Sequence, residues 1–178
     1  MPDADLTGFF GKIPAAGDFV AHGLPRAFTD RWDRWMSRDL IQRPARGPLD
    51  PRAWRFTVPA GIFGDAPAAG VWRMSEDRAG RRYPFVIARL GPQPDPGDGW
   101  FDAAEAVLQA AVADAAPAAQ VARALGRLPA PPPAGADARI QFWIDDWEVH
   151  ELRFADVQDF AERGLALMRG PRRAVETS

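Results

Sequence analysis

Cysteine is absent from the chain, so neither a disulfide framework nor a thiolate metal site is available to it. Histidine is almost as scarce, His22 and His150 being the only two, which leaves few soft ligands for a transition metal. Lysine occurs once, at Lys12, and arginine carries the remaining positive charge. With a formal net charge of −2 there is no basic excess to neutralise phosphates, so nucleic acid is not an expected partner. No apolar run is long enough to cross a bilayer, and the opening residues lack the basic-then-apolar pattern of a secretory leader. Direct membrane insertion is therefore not expected, and the cytoplasm is the expected compartment.

What remains is an ordinary globular composition, 47% apolar and 26% charged over 178 residues, which suits one domain. The expected organisation is a single domain over residues 1–170 with a frayed tail over 171–178. Gly8-Phe9-Phe10-Gly11-Lys12-Ile13 predicts a buried strand ending at Pro14, followed by a loop from Ala15 to Leu24. From Pro25 to Gln42, Phe28, Trp32, Trp35, Met36 and Leu40 fall on one helical stripe, with Arg31, Asp33, Arg34 and Arg38 on the other face. Trp54–Val58, Ala69–Ser75 and Tyr83–Leu90 predict three strands, and their short separations favour an antiparallel meander. A loop at Gly91–Gly99 leads to a helix from Trp100 to Ala113, capped by Asp98 or Gly99, and Pro117 opens a further short helix. Pro129–Ala136 reads as a proline-rich connector, Arg139–Ile144 as a strand, Trp147–Leu152 as an extended piece, and a last helix uses Val157, Phe160, Ala161 and Met168.

Four places could hide chemistry. Gly8-x-x-Gly11-Lys12 superficially resembles a phosphate loop, yet such a loop needs four residues between its glycines and a Ser or Thr after the lysine, where Ile13 stands. Asp145, Asp146, Glu148, His150 and Glu151 are a dense set of oxygen and nitrogen ligands, but strand alternation would put Glu148 and His150 on one face and Glu151 on the other. A solvated turn and edge strand is the preferred reading, and neither metal nor cofactor is expected. His22 has no nucleophile context and reads as a surface or hydrogen-bonded histidine. The most charged stretch is Ser75 to Pro84: Gly80 permits a sharp turn that would bring together Asp77, Arg78, Arg81 and Arg82. Those guanidiniums either pair with Asp77 to brace the turn or face a carboxylate or phosphate on a partner.

The residues from Gly8 to Val20, read as G-x-x-G-K-I-P-x-x-G-D-F-V, resemble the opening signature of the TagF (ImpM-like) family. Leu24-Pro25 with Trp32-Asp33-x-Trp35 is similar to the family's following block. Trp54-Arg55-Phe56, Gly61, Gly70-Val71 and Asp77-Arg78-x-Gly80-Arg81-x-Tyr83-Pro84 are similar to a third. The resemblance implies a three-layer α/β/α fold around a mixed, largely antiparallel sheet. It also implies a role in repressing type VI secretion after translation, with a forkhead-associated scaffold protein as partner. Gly8, Gly11, Lys12, Pro14, Gly17, Trp32, Asp33, Trp35, Trp54, Gly80 and Pro84 are the expected structural motif. Asp18, Asp77, Arg78, Arg81 and Arg82 are the expected partner-binding residues. The competing readings are a metal-dependent hydrolase using Asp18 and Asp77, and a structural adaptor of the secretion machine.

Overall fold

The β-branched and aromatic runs between Trp54 and Leu90 fold as the anticipated meander: β3 (Trp54–Val58), β4 (Ala68–Glu76) and β5 (Arg82–Leu90). Trp54 stands opposite Trp72, and Ala68 opposite Leu90, so each strand runs antiparallel to the last. A computed structural model describes residues 6–39, 48–134 and 140–144 of the chain. Within them β1 (Leu6–Gly11) extends the meander on the β5 side, and β6 (Gln141–Trp143) extends it on the β3 side. The six-stranded order is β2-β1-β5-β4-β3-β6, and every pairing among the described residues is antiparallel.

The member not anticipated is β2 (Val20–His22), which lies in the segment expected to be all loop. Its apolar pattern is too short to register, and what admits it is a missing side chain. A Cβ on Gly8 would lie 2.0 Å from the carbonyl oxygen of His22, so only glycine lets the chain close in here. The first strand also stops earlier than the expected Ile13. Gly11 turns to φ 135°, breaking the ladder, while Lys12 and Ile13 stay buried beyond it.

Helix α1 (Arg26–Asp39) covers one face of the sheet, laying Phe28, Trp32, Trp35 and Met36 against Phe56, Val58, Trp72, Val86 and Phe142. Helices α2 (Gly99–Val112) and α3 (Ala118–Leu125) cover the other with Phe101, Ala104, Leu108, Val121 and Leu125. The result is the three-layer arrangement. Asp98 caps α2 by accepting from the Trp100 N–H at 2.7 Å, satisfying a donor that the first turn leaves open. Arg55 of β3 fastens this helix to the sheet, donating to Glu105 and Asp102 at 2.9 Å each. Asp33 departs from expectation. Expected on the face of α1 opposite the apolar stripe, it accepts the Tyr83 hydroxyl at 2.8 Å and ties that helix to β5. Burial, and then that bond, raise the Tyr83 phenol well above its ordinary value. The expectations for Trp147–Leu152 and for the last helix lie outside the described residues.

Candidate functional site

The charged stretch between β4 and β5 forms a tight turn in which Asp77 N–H donates to Arg81 O at 3.0 Å and Gly80 N–H donates to Asp77 O at 2.9 Å. Gly80 adopts φ 77°, the left-handed conformation this reversal needs. The carboxylate of Asp77, only 3% exposed, points inward. Its Oδ1 accepts the Ala79 and Arg81 backbone N–H groups at 2.9 and 3.0 Å. Its Oδ2 accepts Lys12 Nζ at 2.9 Å and Arg81 Nε at 2.8 Å. Burial alone would raise the carboxyl, but the bonds from Arg81, Lys12 and Ala79 outweigh it and hold Asp77 well below the usual carboxylate range.

The same turn grips the loop after β1. Arg78 Nη2 donates to Ala15 O at 2.6 Å, Arg78 N–H to Ala16 O at 2.8 Å, and Arg81 Nη2 to Gly17 O at 2.6 Å. Three successive carbonyls are thus taken up by two arginines, and the loop is fixed relative to the sheet. Beyond the grip the chain turns outward. Asp18 is exposed, with Oδ1 accepting the Phe19 N–H at 2.8 Å. Phe19 is 45% exposed, although its ring stacks on Phe10 at 5.5 Å and meets the edge of Tyr83 at 4.7 Å. Lys12 Nζ lies 5.0 Å from the same ring centroid, so one ammonium serves both Asp77 and the aromatic face.

The structure therefore brings the expected residues together but gives them different positions. Asp77 is an interior pin, Arg78 and Arg81 are clamps whose bodies remain at the surface, Arg82 is half-buried at the start of β5, and Asp18 faces solvent. Phe19 is not among the residues that the sequence marks as a candidate. No local signal marks it, because the edge strand that follows it, β2, carries no pattern of its own. His22 is exposed on β2 with its ring stacked on Phe9 at 5.6 Å.

A carboxylate has about four lone-pair sites, and those of Asp77 already receive four N–H donors, so it has none left for a metal ion. Among the described residues no group of three or more His, Asp or Glu is placed to hold one. The acidic cluster from Asp145 to Glu151 lies outside the described residues.

The family described as the TagF N-terminal domain, type VI secretion system-associated, matches residues 8–128, which contain the turn, the clamped loop, β2 to β5 and most of β1. The chain belongs to the TagF family. The solved structure of PA0076 from Pseudomonas aeruginosa is similar to this TagF-family chain, with 30% sequence identity and a TM-score of 0.61 over 90% of this chain and 77% of that one. No curated protein matches it. The TagF motif residues now have physical roles: Lys12 and Asp77 form the pin, Gly8 and Gly11 allow close backbone approach, and Trp32 and Trp35 fill the core under α1. Among the described residues no helix is long and apolar enough to cross a membrane.

The pin makes a pH prediction. The folded-state value of Asp77 is depressed, so its stabilisation is complete above the ordinary value of 3.8 and is lost as pH falls through the folded value. Asp77→Asn cannot titrate. The wild-type TagF-family chain should therefore lose more of its thermal midpoint between about pH 5 and about pH 2 than D77N does. Equal losses in the two proteins would remove Asp77 from the acid response.

Proposed function

We propose that this chain is a non-catalytic regulator, a repressor, of a bacterial type VI secretion system. It acts by binding a protein partner, a forkhead-associated scaffold of the same system. Membership of a secretion-associated family supports the setting. The observation that carries the mode of action is the clamped loop: the polar groups best suited to chemistry are spent on fixing it, and what it holds outward is Asp18 and Phe19. A rigid loop presenting one aromatic beside one carboxylate, with the bodies of Arg78, Arg81 and Arg82 alongside, can bind without paying to order itself. Asp77 serves this surface from beneath.

The test is capture of the purified forkhead-associated scaffold from the host's own system. Phe19→Ser and Asp18→Arg should each weaken capture by roughly tenfold or more, as for the centre of an interface. Neither should change the thermal midpoint appreciably. Both substitutions should release effector secretion in cells. Wild-type capture that survives both changes places the contact elsewhere, and no capture by the wild type rejects the partner.

A further inference from the structure

Two polar side chains buried on β4 take no part in the interactions described above. Arg73 is 8% exposed, and Ser75, two residues further along the same strand, is fully buried. Alternate residues of a strand share a face, which here is the one covered by α2. Arg73 confirms the side by donating through Nη1 to the amide oxygen of Gln109 on α2. Among the described residues its Nε meets no acceptor, and neither does the Ser75 hydroxyl.

The contrast with Arg55 on the same face is direct. Arg55 is equally buried, but two carboxylates of α2 meet it, Asp102 at 2.9 Å and Glu105 at 2.8 Å. Arg73 forms no salt bridge with any described residue. Asp50 acts on it only from a distance and is itself held in the fork of Arg52. Burial accordingly pushes the Arg73 guanidinium below its ordinary value. A buried cation without a counter-charge is costly, and an apolar side chain of similar volume would pack the seam better. With Nη1 engaged, the buried Nε is the donor left without an acceptor, and it shares an edge with Nη2, two parallel donors with the spacing of two oxygens of one anion. Ser75 adds a hydroxyl that can donate as a third.

We propose that Arg73 and Ser75 form a binding site for a compact oxyanion, a phosphate or a carboxylate, in the seam between β4 and α2. Asp50 is an adverse charge that acts on Arg73, and its pairing with Arg52 softens its effect on an incoming anion. The site lies on the α2 face and requires neither Phe19 nor the clamped loop, so it stands or falls apart from the partner-binding reading.

The experiment follows the arginine Nε–H resonances of the full chain by proton–nitrogen correlation NMR while inorganic phosphate, or acetate, is titrated at constant ionic strength. The Arg73 resonance is identified as the one missing from Arg73→Lys. It should move saturably with phosphate alone for a phosphate site, or with acetate as well for a carboxylate site. Ser75→Ala should weaken the affinity roughly threefold to tenfold, the worth of one neutral hydrogen bond. An Arg73 resonance unmoved by both anions overturns the proposal, and an affinity unaltered in S75A overturns the two-residue site. The wild-type and S75A titrations remain decisive even if R73K folds poorly, since resonances can then be assigned through the backbone.

Discussion

Replacing Gly11 with alanine should destabilise the fold by at least about 4 kcal/mol, close to the whole margin of a weakly stable domain. Two terms add. The residue sits at φ 135°, a conformation that costs an L side chain about 1–3 kcal/mol. The new Cβ would also lie 2.1 Å from the Pro84 carbonyl oxygen and 2.9 Å from the Phe85 Cα. Both are backbone atoms of β5, so relief requires β1 to move off the sheet, and Phe9, Lys12 and Ile13 would lose their packing with it. Gly17 belongs to the same motif, has no left-handed φ, and has open space where its Cβ would stand. Gly17→Ala should change stability by no more than about 0.5 kcal/mol. Urea denaturation of the two variants beside the wild type gives both numbers; a G11A variant within about 1 kcal/mol of wild type would mean that the β1–β5 junction is soft.

Trp32→Ala should cost about 3–5 kcal/mol, the range for deleting a fully buried indole. Trp32 is the hub of the face under α1. Its ring centroid lies 5.3 Å from Phe63, 5.4 Å from Trp35, 5.8 Å from Phe56, and 6.1 Å from both Phe28 and Trp72. Aromatic neighbours on this scale are large and rigid, so they collapse only partly into the space, and the residual cavity adds to the lost transfer energy. Trp54 is the useful comparison. It is half-buried at the start of β3 with the Arg52 guanidinium 5.8 Å from its ring, and Trp54→Ala should cost about 1–2 kcal/mol. Chemical denaturation orders the two, and a smaller loss at Trp32 than at Trp54 would displace Trp32 from its role as hub.

Most of the architecture was legible from residue periodicity. The three meander strands were located to within a residue at each end, and the α1 stripe identified Phe28, Trp32, Trp35 and Met36 as buried, its last member Leu40 lying outside the described residues, because alternation and helical spacing are local consequences of having one face to cover. The layering and the family could be read from the three motif blocks. The second strand was not legible: Val20-Ala21-His22 carries no pattern, and its place depends on Gly8, more than ten residues earlier, offering a surface without a side chain. Asp33 was misplaced for a related reason. Helical periodicity put it with the polar residues, but the hydroxyl that binds it comes from β5, some fifty residues away.

The charged turn shows where local reading ends. Asp77, Arg78, Arg81 and Arg82 could be recognised from their order as a turn flanked by strands, and so could the choice between a brace and a recognition surface. Spacing along the chain could not say that Lys12, 65 residues away, would enter the same carboxylate. Nor could it say that Arg78 and Arg81 would take the carbonyls of residues 15–17 and thereby leave Phe19 outside. The chain's order of residue types settles which segments extend, coil or turn, because those preferences act over a few neighbours. Which of two identical glycines is indispensable, which arginine meets a carboxylate and which is buried without one, are set when distant strands come within hydrogen-bonding distance, because excluded volume and electrostatics act through space.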